Sequence, residues 1–418
     1  MSILIKDVEI VGVRGKKSVY IEEGKIVEVG NPSVEADRVI RGDFILSPAF
    51  YNTHTHAAMT LLRGYGDDMD LQSWLTEKIW PREAKLKPED VYWGTRLAAL
   101  EMIRSGVVGF ADMYFYVKEV ARAVVDQGVR ALISEGFIDL FDEEKRENEI
   151  KKVEKGLKAL EDFPSERVRP SLGPHAVYTV SREGFEYIRE KADETGYPIH
   201  IHLLETRVEL EDFLKEHGVS PVKYLQEVGI LRKGTIAAHS VHLTDDEIDV
   251  YSKLGVYPSH CPTSNMKLSV KGIMPAQRMV EKGVRVTLGT DGAASNNSLN
   301  MLQEMKFAAL LAKGLSSPTN LPAEVVFRMA TEWGAEALGF RAGKVEEGYD
   351  ADLLLFKRRH VSFTPGFNSI SDIVYSAGPS SLDTVICLGE VLMEEGVIPS
   401  EEEVIERTRE VSYDLIER

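Results

Sequence analysis

Histidine and acidic side chains that could bind a metal ion recur along this chain, each after an apolar segment. His54 and His56 stand one residue apart in "FYNTHTHAAM". Alternate residues of a β-strand point to the same face, so the two imidazoles would project together from the end of one strand. Such a pair alone is more often incidental than metal-binding, and a metal site needs further donors.

Further candidate donors follow later apolar segments in the same way. They are His175 in "SLGPHAVY", His200, His202 and Glu205 in "PIHIHLLET", His239 in "AAHSVHL", His260 in "PSHCPTSN" and Asp291 in "TLGTDGAAS". Either His200 or His202 could point inward, and we favour His202 because it stands nearer the strand end and Glu205. His260 is interpreted as a structural or supporting residue. Three imidazoles with one carboxylate suit a divalent metal ion.

The elements that must position these side chains alternate between β-rich and helical patterns. The candidate strands are "FILSPAFY", "VVGFADMY", "RALISEGF", "VRPSLGPH", "YPIHIHLL", "GTIAAHSV", "GVYPSHC" and "VRVTLGTD". One intervening helix is predicted between Pro88 and Gly106, with proline at its start and glycine at its end. Another begins at a capping box formed by Thr244 and Glu247.

Eight strands that alternate with helices predict an α/β fold built around a parallel (β/α)8 TIM barrel. An open doubly wound sheet would give the same alternation, but the sequence lacks the Gly-rich phosphate loop that often accompanies that fold. Both ends of the chain are β-rich. We therefore expect a small β-sandwich domain from residues 1–48 and 345–418, beside a barrel of residues 49–344. The candidate donors fall near the C-terminal strand ends, where barrel active sites are built.

Composition narrows the class of protein further. The 418 residues include 50 basic and 67 acidic side chains, for a formal charge of −17. An acidic chain argues against partners such as nucleic acid or an anionic membrane surface, because a basic excess supplies affinity for both. No signal peptide or membrane-spanning segment is visible in the sequence. With only two cysteines, Cys261 and Cys387, a disulfide framework is excluded and a cytoplasmic location is expected.

The motifs together resemble the amidohydrolase superfamily over essentially the whole length. The resemblance rests on "SPAFYNTHTH", "HIHLLET", "AAHSVHL", "LGTDGAASNN" and the tail "AGKVEEGYDADLLLF". Within it, the chain is most similar to the branch of 5′-methylthioadenosine/S-adenosylhomocysteine deaminases. This resemblance implies a metal-dependent hydrolytic deaminase that converts a 6-aminopurine nucleoside to its inosine analogue and ammonia. The substrate would be 5′-methylthioadenosine, adenosine or S-adenosylhomocysteine. The alternative is another aminohydrolase or chlorohydrolase acting on a guanine, pterin or triazine ring.

The resemblance also implies which residues act. His54, His56, His202 and Asp291 would bind one divalent metal ion, Zn²⁺ or alternatively Fe²⁺. One ion is expected because the fourth strand, "SLGPH", offers no lysine or glutamate to bridge a second. Glu205, His239 and Asp291 would be the catalytic residues. A binding protein that has lost catalysis would be the rival class, but the intact Glu205 and His239 favour an enzyme.

The substrate-binding residues follow from the same resemblance. Glu83 would accept hydrogen bonds from the ribose hydroxyls, Trp74 would form a wall of the pocket, and His175 and Glu205 would contact the nucleoside. Related deaminases hold the homocysteine carboxylate with an arginine at the end of the third strand. Glu135 stands at the matching position here, and Arg146 is the alternative cation. The expected partner is therefore a small nucleoside, with a homo-oligomer left open.

Overall fold

The computed structural model describes residues 2–418, except for the side chain of residue 315. The chain begins with five strands: β1 (Ser2–Ile10), β2 (Lys16–Glu22), β3 (Lys25–Gly30), β4 (Arg38–Arg41) and β5 (Phe44–Pro48). β1 pairs antiparallel with β2, and β2 pairs antiparallel with β3. β1 also pairs in parallel with β4 near its start and with β5 near its end. These strands belong to one mixed sheet outside the barrel.

The next nine strands form the barrel. They are β6 (Phe50–Thr55), β7 (Val107–Tyr114), β8 (Arg130–Phe137), β9 (Val168–Pro170), β10 (Gly173–Pro174), β11 (His200–Leu203), β12 (Ile236–His239), β13 (Tyr257–His260) and β14 (Thr287–Leu288). β9 and β10 share the fourth barrel position, since both pair with β8. Every residue of β6, β7 and β11 is buried, as expected for parallel strands covered on both faces.

Two parallel half-barrels close into one. β6, β7, β8, β9 and β10 form the first sheet, and β11 to β14 form the second. Leu172 forms a parallel bridge with Ile199, which joins the halves between the fourth and fifth positions. On the other side, the Asp291 N–H donates to the His54 carbonyl at 3.0 Å. The predicted TIM barrel is therefore confirmed.

The last three strands return to the first sheet. β15 (Leu353–Lys357), β16 (Leu382–Cys387) and β17 (Glu390–Met393) extend it in the order β17-β16-β15-β5-β1-β2-β3. Its inner face has a separate apolar core that includes Ile3, Val19 and Leu353. The predicted first barrel strand "FILSPAFY" is wrong in its bounds, because Phe44–Pro48 pairs with β15 in this sheet. Pro48 has no N–H to continue a ladder, and the barrel strand begins at Phe50.

Helices cover the outside of the barrel. They are α1 (Leu71–Ser73), α2 (Trp80–Glu83), α3 (Pro88–Arg104), α4 (Val117–Gln127), α5 (Glu143–Leu160), α6 (Arg182–Thr195), α7 (Arg207–His217), α8 (Pro221–Val228), α9 (Asp245–Leu254), α10 (Pro262–Lys267), α11 (Ala276–Glu281), α12 (Met301–Leu315), α13 (Ala323–Ala330), α14 (Glu332–Ala337), α15 (Ser369–Tyr375) and α16 (Glu401–Glu417). A π-helical segment, Trp74–Ile79, connects α1 to α2. Short 3₁₀ turns lie at Ala57–Leu62, Val361–Phe363 and Pro379–Ser381.

Two helices have the ends that the sequence predicts. α3 begins with Pro88 at its first position, and α9 begins at the Thr244–Glu247 capping box.

The terminal helix α16 packs on α3: the Thr408 hydroxyl donates to the Trp93 carbonyl at 3.0 Å, and Arg418 forms an ion pair with buried Asp90 at 2.7 Å. Within residues 2–418, no helix is long and apolar enough to cross a membrane.

Candidate active site

Four predicted metal donors converge at the C-terminal mouth of the barrel. The Nε2 atoms of His54 and His56 lie 3.5 and 3.4 Å from Asp291 Oδ1. The Nε2 atom of His202 lies 3.2 Å from His56 Nε2. These side chains come from the first, fifth and eighth barrel positions, so closure of the barrel is what brings them together.

The hydrogen bonds around the imidazoles leave their nitrogens free to bind a cation. His56 Nδ1 lies 2.6 Å from the Met113 carbonyl, and His202 Nδ1 lies 2.9 Å from the His175 carbonyl. A carbonyl only accepts, so both Nδ1 atoms carry the proton and both Nε2 atoms carry a lone pair. Two lone pairs that face each other at 3.2 Å repel unless a cation lies between them. The donor set therefore fits a divalent metal ion.

Asp291 is held so that one oxygen faces the imidazoles. Its Oδ2 accepts hydrogen bonds from the hydroxyls of Ser264 at 2.6 Å and Ser295 at 2.8 Å. Its Oδ1 accepts from the Gly292 N–H at 2.8 Å and points toward His54. Burial works against ionisation, but the neighbouring imidazoles outweigh it and hold the Asp291 pKa well below its usual range. Asp291 is thus held as a carboxylate in an orientation that suits a metal ligand.

Three strand ends at the mouth have a left-handed backbone. The φ angles are +52° at Leu204, +69° at His239 and +64° at Asp291. Residues other than glycine rarely adopt this conformation, and its cost is tolerated where the surrounding contacts enforce it. Each turn changes the direction of the chain at or next to a predicted site residue: Glu205, His239 or Asp291.

Glu205 and His239 lie side by side next to the metal donors. His239 Nδ1 is 3.8 Å from Glu205 Oε1 and 2.8 Å from Asn265 Oδ1, to which it donates. Burial raises the pKa of the Glu205 carboxyl. Burial opposes protonation of His239, but the carboxylates of Glu205 and Asp291 outweigh it and raise the His239 pKa. The pair can therefore exchange protons with a bound molecule.

A cleft opens directly above these groups. Its lining includes His56, His202, Glu205, His239, Asp291, His175, Glu83 and Trp74, together with apolar residues such as Met59, Trp80 and Phe115. The Trp74 Nε1 and Glu83 Oε1 atoms are buried without a hydrogen-bond partner among the residues that the structure describes. Burial raises the Glu83 pKa to about 7, against a hydrogen bond from Tyr114. Unpaired polar atoms in a cleft are suited to a polar ligand.

A second cavity adjoins the cleft. Trp80, Glu83 and Phe115 line both, so the two are neighbours across these side chains. Glu135 lines this second cavity rather than the cleft, and burial raises its pKa to about 7. Its Oε2 accepts a long hydrogen bond, 3.5 Å, from the Val117 N–H at the start of α4.

Arg146 is placed apart from both cavities. It lies in the first turns of α5, and its Nη1 is 3.5 Å from the Ser181 hydroxyl. Within residues 2–418 it is not among the lining residues of the cleft or the second cavity. Its predicted contact with substrate therefore gains no support from its position.

Sequence reasoning missed several supporting residues. Ser264, Asn265 and Ser295 belong to "TSN" and "ASN" segments that follow the seventh and eighth strands. Glu209 was also missed, although Thr206 and Glu209 have capping-box spacing. Its carboxylate instead accepts from the N–H groups of Leu204 and Glu205, at 2.9 Å each. The spacing was visible in the sequence, whereas the N–H donors that the carboxylate binds depend on the turn at Leu204.

The chain belongs to the amidohydrolase family, whose model matches residues 45–392. It is 48% identical over 420 residues to a 5-methylthioadenosine/S-adenosylhomocysteine deaminase 1 from Archaeoglobus fulgidus, covering 99% of both chains. It is 46% identical to a 5′-deoxyadenosine deaminase from Methanospirillum hungatei, covering 96% of this chain and 90% of that one. The predicted resemblance is confirmed, and the chain is a hydrolytic enzyme of this family.

Solved structures agree with the fold. An adenosine deaminase from Xanthomonas campestris with bound zinc superposes with a TM-score of 0.94 at 32% identity, covering 100% of this chain and 99% of that one. A triazine hydrolase variant superposes with a TM-score of 0.89 at 24% identity, covering 98% of this chain and 99% of that one. The second likeness concerns the barrel and its accessory sheet alone.

Proposed function

We propose that the protein is a metal-dependent deaminase of 6-aminopurine nucleosides, such as 5′-methylthioadenosine, 5′-deoxyadenosine and adenosine. The observation that carries this proposal is the convergence of four metal donors with the Glu205–His239 pair at the floor of one cleft. The names of relatives at 46–48% identity support the same substrate class. S-adenosylhomocysteine is the further candidate.

We assign the metal as one Zn²⁺ per chain, held by His54, His56, His202 and Asp291, with Fe²⁺ as the alternative. Three imidazoles and a carboxylate form a donor set that zinc favours, and the described residues supply no carboxylate bridge for a second ion. When bound, the ion supplies the Lewis-acid chemistry that lets water act as a nucleophile near neutral pH.

The side chains of the cleft then move the protons. Asp291 takes a proton from the attacking water, and His239 hydrogen-bonds the oxygen as its negative charge develops. Glu205 donates a proton to the ring nitrogen beside the attacked carbon. Once the C–O bond has formed, Glu205 takes up the proton of the new hydroxyl group and passes it to the 6-amino nitrogen, so that the C–N bond breaks and ammonia leaves. The proton held by Asp291 then returns to Glu205 and restores both side chains. The raised Glu205 pKa supports this role, because a proton donor must be partly protonated at working pH.

The Glu83 carboxyl, whose Oε1 atom is unpaired, is assigned to the ribose hydroxyls. Glu83 lines both the cleft and the second cavity, so a ribose bound there lies at their junction. The base would reach down to the metal site past Trp74 and His175. The 5′ substituent would point toward the second cavity and Glu135. A 5′-methylthio group suits this largely apolar space, which includes Pro88, Val117 and Ala159 among its lining residues.

A panel of purine nucleosides tests the proposal. Adenosine, 5′-deoxyadenosine, 5′-methylthioadenosine, S-adenosylhomocysteine and guanosine are incubated with the zinc-loaded enzyme. Deamination is followed by the absorbance change from adenine to hypoxanthine and by ammonia release. Turnover of at least one 5′-modified adenosine with kcat/KM above ~10⁴ M⁻¹s⁻¹ is expected. Preference for guanine, pterin or triazine rings over every adenosine would overturn the proposal.

Three further proposals come from the sequence. The chain divides into a barrel of residues 49–344 and a small domain of residues 1–48 and 345–418. It acts in the cytoplasm on small molecules, without nucleic acid or membrane partners. Size-exclusion chromatography with light scattering tests whether it forms a homo-oligomer.

A further inference from the structure

A second histidine contacts the metal donor His54 from across the barrel. His200 Nε2 lies 2.8 Å from His54 Nδ1, and both side chains are fully buried. The two residues come from the first and fifth barrel positions, 146 residues apart in the chain. His200 points inward like His202, but its ring lies behind His54 and is not among the lining residues of the cleft.

The direction of this hydrogen bond decides which nitrogen of His54 can bind a metal. Nε2 of His54 faces Asp291 and the other imidazoles, and a lone pair there requires the proton to be on Nδ1. A proton on Nδ1 needs an acceptor, and His200 Nε2 is the atom that stands in the acceptor position. The other two imidazole donors use backbone carbonyls for the same purpose. His54 alone depends on a side chain.

The remaining nitrogen of His200 bears the cost of this assignment. If His200 Nε2 accepts, its own proton must be on Nδ1. His200 Nδ1 is buried and has no hydrogen-bond partner in the described part of the chain. A buried unpaired N–H is unfavourable, so the case for this form of His200 is the Nε2 lone pair that His54 needs for a metal ion.

We infer that His200 is a positioning residue that holds His54 in the Nδ1–H form and so keeps its Nε2 lone pair available to the metal. This inference rests on the metal site of the proposed function but not on the choice of nucleoside. The competing interpretation is that His200 only fills the barrel interior, in which case its replacement would alter stability without altering metal affinity.

Two substitutions separate the interpretations. His200→Leu fills a similar volume in the core with an apolar side chain and removes the hydrogen-bond acceptor. His200→Gln places an amide oxygen near the position of Nε2 and can still accept from His54. Ser171→Ala is the control, because the Ser171 hydroxyl is also buried in the barrel, on the neighbouring fourth position, and has no hydrogen-bond partner within residues 2–418. All three are made in the full chain.

The first readout is Zn²⁺ affinity of the metal-stripped proteins, measured by competition with a chromophoric chelator. Loss of a supporting partner of a metal ligand typically weakens binding by ~10- to 100-fold, and this range is expected for His200→Leu. His200→Gln should recover most of the loss, and Ser171→Ala should match the wild type. Equal affinities for His200→Leu and the wild type would overturn the inference, as would a glutamine variant no better than leucine.

The second readout is measured on the wild type, and a variant serves only to assign the signals. Long-range ¹H–¹⁵N spectra of the ¹⁵N-histidine-labelled wild type report which ring nitrogen of each histidine carries a proton. The His54 signals, assigned with His54→Gln, should show Nδ1–H in both the metal-free and the zinc-loaded protein. Nε2–H in the metal-free protein would overturn the inference. Zinc binding without deamination of any nucleoside would instead refute only the proposed function.

Discussion

The side chain of Glu209 holds the backbone of Glu205 in place through two hydrogen bonds at the start of α7. One carboxylate oxygen of Glu209 accepts from the Glu205 N–H and the other from the Leu204 N–H, each at 2.9 Å. Leu204 has a φ of +52°, so these bonds stabilise a turn that its side chain disfavours. The turn sets the direction in which the Glu205 carboxyl leaves the strand. Glu209 therefore positions the proposed proton-transfer group, and it is not among the residues that line the cleft.

Replacement of Glu209 should therefore lower turnover more than substrate binding. For Glu209→Ala we expect kcat to fall by at least ~10-fold, because a shift of ~1 Å in a reacting group can cost ~10²-fold in rate. Glu209→Gln keeps one acceptor oxygen, so its kcat should lie between those of the wild type and Glu209→Ala. Steady-state kinetics of both variants and of the wild type, at equal zinc content, measure the effect.

The matched control is Glu211→Ala on the same helix. The Glu211 side chain is exposed and pairs with Arg207 at 2.7 Å. Its removal should leave kcat and KM at wild-type values. An equal loss in Glu209→Ala and Glu211→Ala would mean that the helix as a whole, and not the bonds to Leu204 and Glu205, sustains activity.

The proton-transfer role of Glu205 is tested by Glu205→Gln. The amide keeps the shape of the side chain and can still hydrogen-bond, but it cannot give up and regain a proton. We expect zinc content and substrate affinity to be retained while kcat drops by at least ~10². Equilibrium binding of the nucleoside alongside single-turnover rates separates the two effects. Near-normal turnover would remove Glu205 from the mechanism.

The barrel could be predicted from the sequence alone because each of its strands is marked by a local pattern of apolar residues. "VVGFADMY" and "RALISEGF" coincide with β7 and β8, since each is a continuous buried run bounded by turns. The division of "FILSPAFY" between two sheets was missed. It depends on pairing with Leu353–Lys357, some 300 residues away, which no local pattern records.

The metal donors were predictable for a related reason: they follow the strands and share the C-terminal side. Their supporting partners were not. The contact of His200 with His54 and that of Ser264 with Asp291 join different strands and loops. Which of several inward-facing polar side chains meet depends on the tilt and closure of the barrel. Single-sequence reasoning therefore predicted a donor set whose members lie together in the structure, whereas Arg146, predicted to contact substrate, does not line the cleft or the second cavity.

Removal of the metal should destabilise the mouth of the barrel as well as abolish activity. The Nε2 lone pairs of His56 and His202 face each other at 3.2 Å, and a bound cation relieves that repulsion. A ligand that binds only the native state at 100 times its Kd adds about 2.7 kcal/mol. We expect chelation to lower Tm measurably and Zn²⁺ to restore it, with about one ion per chain by elemental analysis. Two ions per chain at full activity would refute the one-metal site.

The buried carboxyl of Glu83 should make ribose recognition depend on pH. Burial raises its pKa to about 7, against a hydrogen bond from Tyr114. The ionised form is the better acceptor of two hydroxyl protons. As pH rises through about 7 the carboxyl loses its proton, so kcat/KM for 5′-methylthioadenosine should increase between about pH 6 and about pH 8.

Glu83→Gln should remove this part of the pH profile and raise KM more than it lowers kcat. The 2′,3′-dideoxy analogue of the substrate is the matched control, since it offers Glu83 no ribose hydroxyls, and its profile should be the same for both proteins. A variant that keeps the wild-type pH dependence with the intact ribose would show that another group titrates.

The last prediction concerns the 5′ substituent and the second cavity. Glu135 lines this cavity together with Lys152 and Lys155, and Lys152 is already paired with Glu149 at 2.6 Å. An S-adenosylhomocysteine tail that reaches Glu135 would bring a second carboxylate to it, whereas a methylthio group carries no charge. We expect kcat/KM for 5′-methylthioadenosine to exceed that for S-adenosylhomocysteine by at least ~10-fold, about 1.4 kcal/mol.

Substitutions at Glu135 and Arg146 decide whether this selectivity arises in the second cavity. Glu135→Arg should narrow the gap by improving S-adenosylhomocysteine specifically, and Glu135→Gln, which removes the charge but keeps the shape, should have a smaller effect in the same direction. Arg146→Ala should leave the ratio unchanged, because Arg146 lies beside Ser181 and away from both cavities. Competition between the two substrates measures each ratio directly. If the wild type uses S-adenosylhomocysteine equally well, the tail does not meet a charged Glu135, and a loss confined to Arg146→Ala would identify Arg146 as its cation.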